Sequence, residues 1–359
     1  MNRYLVSARK YRPSNFDEVI GQKDIVRILK NEIINDKVAH AYLFYGPRGT
    51  GKTSTARIFA NVLNCENAVK NNGEQCGCCP FCENAKNSIP FFELDAASNN
   101  SVEDIRRISD EARTISIFSK YKVFIIDEIH MLSQAAFNAF LKTLEEPKNN
   151  VVFILATTEF HKVPSTVVSR CQVMHFKLIP EKIIITQLQK ILDIEKIKYD
   201  DEALSLISRQ AFGSMRDALS ILDALIGSSS DYLSIEKVQN TLNILDNDKF
   251  FTLLEKLLKE DYENIFSLTN EILNNGFDGL YFLNGFLEFF MNIFYEKNGL
   301  QKTTSEKYES ISKDISLNTL TQILELFDKT ISNYRESLNK KLYIELFLIK
   351  LTNVLKGKN

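Results

Sequence analysis

Apolar residues in the first half of the chain follow two rhythms. Short runs at Tyr42-Leu43-Phe44-Tyr45, Phe91 to Leu94, Lys122-Val123-Phe124-Ile125-Ile126 and Val151 to Ala156 have the length and β-rich composition of buried strands. Between them apolar positions recur at helical spacing. Ile58, Phe59, Val62 and Leu63 follow the first run, a helix from about Val102 follows the second, and a helix capped by Ser133 and closed before Pro147 follows the third. Strands of this kind alternating with helices predict a parallel sheet covered on both faces. Beyond about residue 180 strand signals stop. Ala203 to Phe212 and Ala218 to Ile226 read as helices, and everything from about residue 245 reads as helical. Two apolar stripes mark that last part: Leu317, Leu320, Ile323, Leu324, Phe327 and Ile331, then Leu338, Leu342, Leu346 and Ile349. Such stripes belong to a core or to a subunit interface.

Composition narrows the class. The 359 residues are 44% hydrophobic, enough for packed cores in two or three domains. A net charge of −2 excludes a surface that is basic all over, so any DNA contact must come from a local patch or from several subunits together. The opening stretch MNRYLVSARKYRPSNF has no apolar h-region and no cleavage site. The apolar stretch Phe277 to Tyr295 is interrupted by Asp278, Asn284, Gly285, Glu288 and Asn292, and reads as a buried helix. The expectation is a cytoplasmic protein with no membrane contact.

Three groups carry candidate chemistry. Gly46-Pro47-Arg48-Gly49-Thr50-Gly51-Lys52-Thr53 fits the phosphate-loop pattern, with a strand before it and a helix after it. Its glycines let backbone N–H groups converge on an anion, and the following helix adds its positive end. Lys52 would reach the β- and γ-phosphates, and the Thr53 hydroxyl would bind Mg²⁺. Asp127 and Glu128 end the third apolar run, about 75 residues on. In such a protein the first acid holds Mg²⁺ and the second serves as general base toward water. His130, just beyond, receives no role. Cys76, Cys79 and Cys82 form C-x₂-C-x₂-C with Cys65 upstream, a set able to close a tetrahedral zinc site. The run Glu83-Asn84-Ala85-Lys86 lacks the fourth Cys and Pro of a ferredoxin cluster. Cys78 is read as a spare thiol and Cys171 as a buried small residue.

With these motifs in place the chain resembles the gamma/tau subunits of the bacterial DNA polymerase III clamp loader. The strings that carry the likeness are ARKYRPSNFDEVIGQ, HAYLFYGPRGTGKTS, the cysteine module, ELDAASN, VFIIDEIHMLS, FNAFLKTLEEP, LATTEFHKVPSTVVSRCQ and GSMRDALS, over about residues 8 to 220. The resemblance implies an AAA+ ATPase core over 1–179 with its zinc module at about 65–82, a helical lid over 180–243 and an all-α collar for oligomerisation over 244–359. It implies ATP, Mg²⁺ and Zn²⁺ as cofactors. It implies other gamma/tau copies, delta and delta-prime as partners, and a sliding clamp opened by ATP binding and closed on primed DNA after hydrolysis. Residue by residue, Arg170 resembles an arginine finger acting in trans on a neighbour's nucleotide. Arg216 resembles the lid's sensor arginine, and Thr158 the sensor at the fourth strand's tip, with Thr157 a near rival. Arg12 and Pro13 resemble the segment flanking adenine. Arg106, Lys142 and Thr166 resemble positions facing duplex backbone, while Asn99 stands where some relatives carry a basic residue. The end at Asn359 suggests a short, gamma-like form. A non-catalytic scaffold like delta-prime and a branch-migration motor of the same superfamily are the competing functions.

Overall fold

The computed structural model describes residues 6–85, 91–114, 119–147, 150–227, 232–242, 247–274, 278–300, 306–334 and 336–357. Phe277 and the expected 243/244 boundary lie outside them. The chain divides into two compact units, Met1–Leu233 and Ser234–Asn359.

The first unit runs α1 Ser7–Lys10, α2 Lys23–Ile34, β1 Ala41–Tyr45, α3 Lys52–Leu63, α4 Pro80–Ala85, β2 Phe92–Asp95, α5 Val102–Arg113, β3 Lys122–Asp127, α6 Gln134–Glu145, β4 Val151–Thr157, α7 Ser165–Val168, β5 Gln172–His175, α8 Glu181–Glu195, β6 Lys198–Tyr199, α9 Asp201–Gln210, α10 Met215–Ile226 and β7 Tyr232–Leu233. Five strands form one parallel sheet in the order β2-β3-β4-β1-β5. Side chains alternate faces along a strand, and the two faces have separate cores. Tyr42, Phe44, Val123, Ile125, Val152 and Ile154 pack against residues of α2 and α3. Leu43, Phe124, Ile126, Phe153 and Leu155 pack against residues of α5 and α6. That double covering is why β1, β3 and β4 read as continuous apolar runs.

Two features differ from the sequence-based expectation. A fifth strand, β5, pairs with β1 at the sheet edge. Strands also do not stop at residue 180, because β6 and β7 form a short parallel pair. Both escape a pattern search for a physical reason. An edge strand need bury only one side chain, here Met174, and two-residue strands have no period to read.

The second unit consists of α11 Ile235–Thr241, α12 Asn247–Leu258, α13 Tyr262–Asn274, α14 Gly279–Lys297, α15 Glu306–Asp314, α16 Leu317–Tyr334 and α17 Lys340–Leu355. Its core is strongly aromatic. Phe286 stacks on Phe250 with centroids 5.1 Å apart and meets Phe327 edge-on at 5.6 Å. α14 and α16 approach closely at Gly279, where a Cβ would fall 2.1 Å from the Tyr334 hydroxyl oxygen. Among the described residues no helix is long and apolar enough to cross a membrane.

Candidate nucleotide and metal sites

The glycine-rich loop joins β1 to α3, so its backbone opens at the carboxyl end of the sheet, where open α/β folds bind ligands. Gly49 and Gly51 have φ of 75° and 102°, a region that favours glycine. A Cβ on Gly46 would strike the Phe176 carbonyl oxygen at 2.1 Å. The Gly46 N–H donates to Thr157 O at 3.3 Å, tying the loop to the tip of β4. Lys52 opens α3 and is buried, its ammonium donating to Gly46 O and Pro47 O at 2.7 and 2.8 Å. Burial lowers its pKa, and the carboxylates of Glu128 and Asp127 oppose that shift.

The two acids lie beside this loop because β3 ends there. The Thr53 hydroxyl donates to Asp127 Oδ2 at 2.7 Å, which puts two hard oxygen ligands together, as Mg²⁺ requires. Glu128 follows in a left-handed conformation, φ 48°. Its Oε2 accepts from the Thr158 N–H at 3.1 Å and the Thr158 hydroxyl at 2.9 Å. Thr157, the rival position, is fully buried, with its hydroxyl on His130 and on the Glu159 N–H.

The segment joining α9 to α10 reaches the same loop. Ser214 caps α10, and the Met215 N–H donates to Gly49 O at 3.1 Å. A Cβ on Gly49 would lie 1.9 Å from Ser214 Oγ and 3.1 Å from Arg216 Cβ, so Arg216 borders the phosphate loop. The N-terminal segment is pinned to the same helices. The Ser7 N–H donates to Asp223 of α10 at 2.7 Å, and Lys10 and Tyr11 both bond Glu195 of α8. Desolvation, then the cations Arg57 and Arg216, hold Arg12 below its usual pKa, while Glu93 and Asp127 oppose them. Arg12 thus sits among the charges of the phosphate end. Pro13 adjoins it and is half-buried.

Arg170 stands apart from this cluster. Its guanidinium donates to Thr166 O at 2.7 Å and to Glu145 Oε1 at 2.6 Å, and its side chain is 34% exposed. Arg106, Lys142 and Thr166 are exposed on α5, α6 and around α7, three neighbouring helices. Asn99 bonds the Asp95 carbonyl.

Gln22, which closes the string ARKYRPSNFDEVIGQ, receives no role from the sequence. It is buried, donates to Thr50 O and Lys177 O at 3.4 and 2.7 Å, and accepts from the Lys177 N–H at 3.2 Å. It braces the phosphate loop against the chain leaving β5. Its place at the end of that string, after Gly21 with φ of 75°, is the signal that could have found it.

The sulfurs of Cys65, Cys76, Cys79 and Cys82 lie within 4.8 Å of one another. A tetrahedral zinc with Zn–S of about 2.3 Å spaces its sulfurs about 3.8 Å apart, so the group is compatible with zinc. The Cys78 backbone N–H bonds Cys76 and, with the Asn67 side chain, pushes the Cys76 thiol down to about 5 against the effect of burial. Burial pushes the Cys65 and Cys82 thiols up. Cys78 is exposed and outside the group. Cys171 is half-buried, its thiol pushed up to about 12 by desolvation. The module is anchored on two sides. Asn64 exchanges hydrogen bonds with the Tyr121 backbone at 2.7 and 2.9 Å, and Glu74 pairs with Lys30 at 2.7 Å.

Comparison with known proteins places this geometry. Residues 21–180 match the family model described as DNA polymerase III, delta subunit. Residues 183–231 match the DNA polymerase III clamp loader subunit ATPase lid domain, and residues 233–358 match domain III of DNA polymerase III subunits gamma and tau. The chain is 34% identical to DNA polymerase III subunit gamma of Buchnera aphidicola subsp. Acyrthosiphon pisum, over 98% of this chain and 99% of that protein. It is 37% identical to subunit tau of Bacillus subtilis over 97% of this chain, and spans 63% of that protein. It is 41% identical to subunit tau of Escherichia coli over 77% of this chain, and spans 43% of that protein. In fold alone, a solved variant of Thermotoga maritima RuvB superposes with a TM-score of 0.50 at 18% identity, over 69% of this chain and 80% of that one. With one relative matched nearly end to end and the lid and third-domain models following in order, the chain belongs to the gamma/tau family of DNA polymerase III clamp loader subunits.

Proposed function

We propose that this chain is the ATP-binding and ATP-hydrolysing subunit of a cytoplasmic DNA polymerase III clamp loader. It works beside other gamma/tau copies, delta and delta-prime to open the sliding clamp and close it on primed DNA. The observation that carries the reading is the convergence of Lys52, the Thr53–Asp127 pair and Glu128 on one glycine-rich loop. A non-catalytic scaffold has no use for this complete set.

The loop N–H groups and Lys52 would hold the triphosphate, with Arg12 and Pro13 flanking the nucleotide. Thr53 and Asp127 would hold Mg²⁺, which would supply charge neutralisation for the phosphate groups. Glu128 would take the proton of the attacking water, with Thr158 orienting its carboxylate. Arg216 would bring the lid to the γ-phosphate. Arg170, unengaged with its own subunit's loop, would supply its guanidinium to the neighbour, which makes hydrolysis depend on assembly. The exposed Arg106, Lys142 and Thr166 support contacts to DNA phosphates, which would read no sequence. Zinc on Cys65, Cys76, Cys79 and Cys82 would be structural.

The test is reconstitution with delta, delta-prime and the clamp, with one zinc per chain expected by metal analysis. Primed DNA should stimulate ATP turnover, and Lys52→Ala should abolish it. Turnover indifferent to primed DNA would defeat the clamp-loading reading.

A further inference from the structure

His130 lies in the short 3-10 turn Ile129–Met131 that follows β3. Its side chain is only 6% exposed. The ring stands among three polar groups. Nδ1 is 3.0 Å from Thr157 Oγ1 and 3.3 Å from Glu128 Oε2. Nε2 is 3.4 Å from Glu159 Oε1. A histidine that merely fills space is satisfied by one partner per nitrogen and has no need of a carboxylate on each side. The Glu128 oxygen it faces is the one that accepts both Thr158 donors. Glu128 itself is left-handed, a conformation that costs a residue with a side chain about 1–2 kcal/mol and must be held by its surroundings.

From these contacts we propose that His130 is a positioning residue that sets the Glu128 carboxylate and links it to Glu159. The proposal rests on the reading of Glu128 as general base. A neutral imidazole carries one N–H and so serves one carboxylate at a time. With the hydrogen on Nε2, the ring turns its N–H toward Glu159 Oε1, 3.4 Å away, and accepts from the Thr157 hydroxyl. With the hydrogen on Nδ1, it donates toward Glu128. Glu159 keeps a second partner in either case, Lys162 at 2.8 Å, and His161 lies 3.7 Å from it. Beyond Glu159 the chain passes the turn Phe160–Lys162, where Phe160 packs on Tyr45 at 4.4 Å between centroids. It then enters α7 and reaches Arg170. Glu159 and Arg170 therefore bound one short stretch of chain, and His130 stands between the start of that stretch and the Glu128 carboxylate.

Three variants test this: His130→Ala, His130→Asn and His130→Gln. Asn places its amide nitrogen near the Nδ1 position, whereas Gln extends toward the Nε2 position. His130→Ala should lower kcat about tenfold or more, part of the 10²–10⁴ that a positioned general base supplies. Affinity for a fluorescent ATP analogue with Mg²⁺ should stay within about twofold. His130→Asn should recover most of kcat and His130→Gln should not. Thermal melts would identify a variant that fails to fold, and His130→Asn then carries the comparison alone. Unchanged kcat in His130→Ala overturns the proposal, as does a parallel loss of kcat and ATP affinity that Asn does not rescue. The wider ATPase reading is checked separately, by hydrolysis in the unaltered chain that vanishes in Lys52→Ala.

Discussion

Gly49 and Gly77 share a backbone conformation, with φ of 75° and 71°, and differ in what surrounds them. A Cβ on Gly49 would meet Ser214 Oγ at 1.9 Å, whereas one on Gly77 would meet nothing within 4 Å. Gly77→Ala should therefore cost only the left-handed strain, about 1–2 kcal/mol by denaturant titration, and leave nucleotide affinity unchanged. Gly49→Ala adds a clash that pushes Ser214 and Arg216 off the phosphate loop. ATP affinity, read with a fluorescent analogue, should fall by about tenfold or more, since 1.4 kcal/mol already gives that factor. The loop glycines, Lys52, Thr53 and the two acids were legible beforehand because each occupies a fixed place in a contiguous pattern. Gln22 and His130 lie in the strings that carry the likeness, but their roles were not legible, because Lys177 and Thr157 are far off in sequence and only folding brings them close.

At the scale of elements, α17 teaches why a stripe is ambiguous. The helix is apolar on two sides. Ile344, Phe347, Leu348 and Leu351 face the core, while Leu342 and Leu346 are 60% and 44% exposed and Leu338 and Ile349 are exposed with them. Periodicity finds both faces and cannot rank them, since the spacing is the same. In the other stripe Leu320, Ile323 and Phe327 are buried and Leu317, at the start of α16, is exposed. An outward apolar face on a family member that works in an assembly predicts a split between stability and association. The double change Leu342→Glu and Leu346→Glu should leave the melting free energy within about 0.5 kcal/mol per site. The same change should weaken association by about tenfold or more in analytical ultracentrifugation, as buried charge disfavours an apolar interface. Leu348→Ala, by contrast, should cost about 2–5 kcal/mol as a core truncation.

For the whole molecule, the sheet order, the phosphate loop and the acids follow from one topology, and on the proposed reading a second copy completes the site through Arg170. Arg170 bonds Thr166, Ser169 and Glu145 and no residue of its own loop. Because the Arg170–Glu145 pair is partly exposed, Arg170→Ala should change the stability of the isolated chain by no more than about 1 kcal/mol. ATP binding by that chain should persist, while turnover in the assembly drops about tenfold or more, as expected when a transition-state cation is withdrawn. Loss of binding in the isolated variant would instead mean that Arg170 acts in its own subunit. One further consequence comes from the bond between the Met215 N–H and Gly49 O. Both partners are main chain, so among residue exchanges only proline at 215, which lacks the N–H, or bulk that forces the two segments apart would remove it. Sequence drift at the surrounding surface can retune charge while this tie between cap and cradle is inherited with the polypeptide itself.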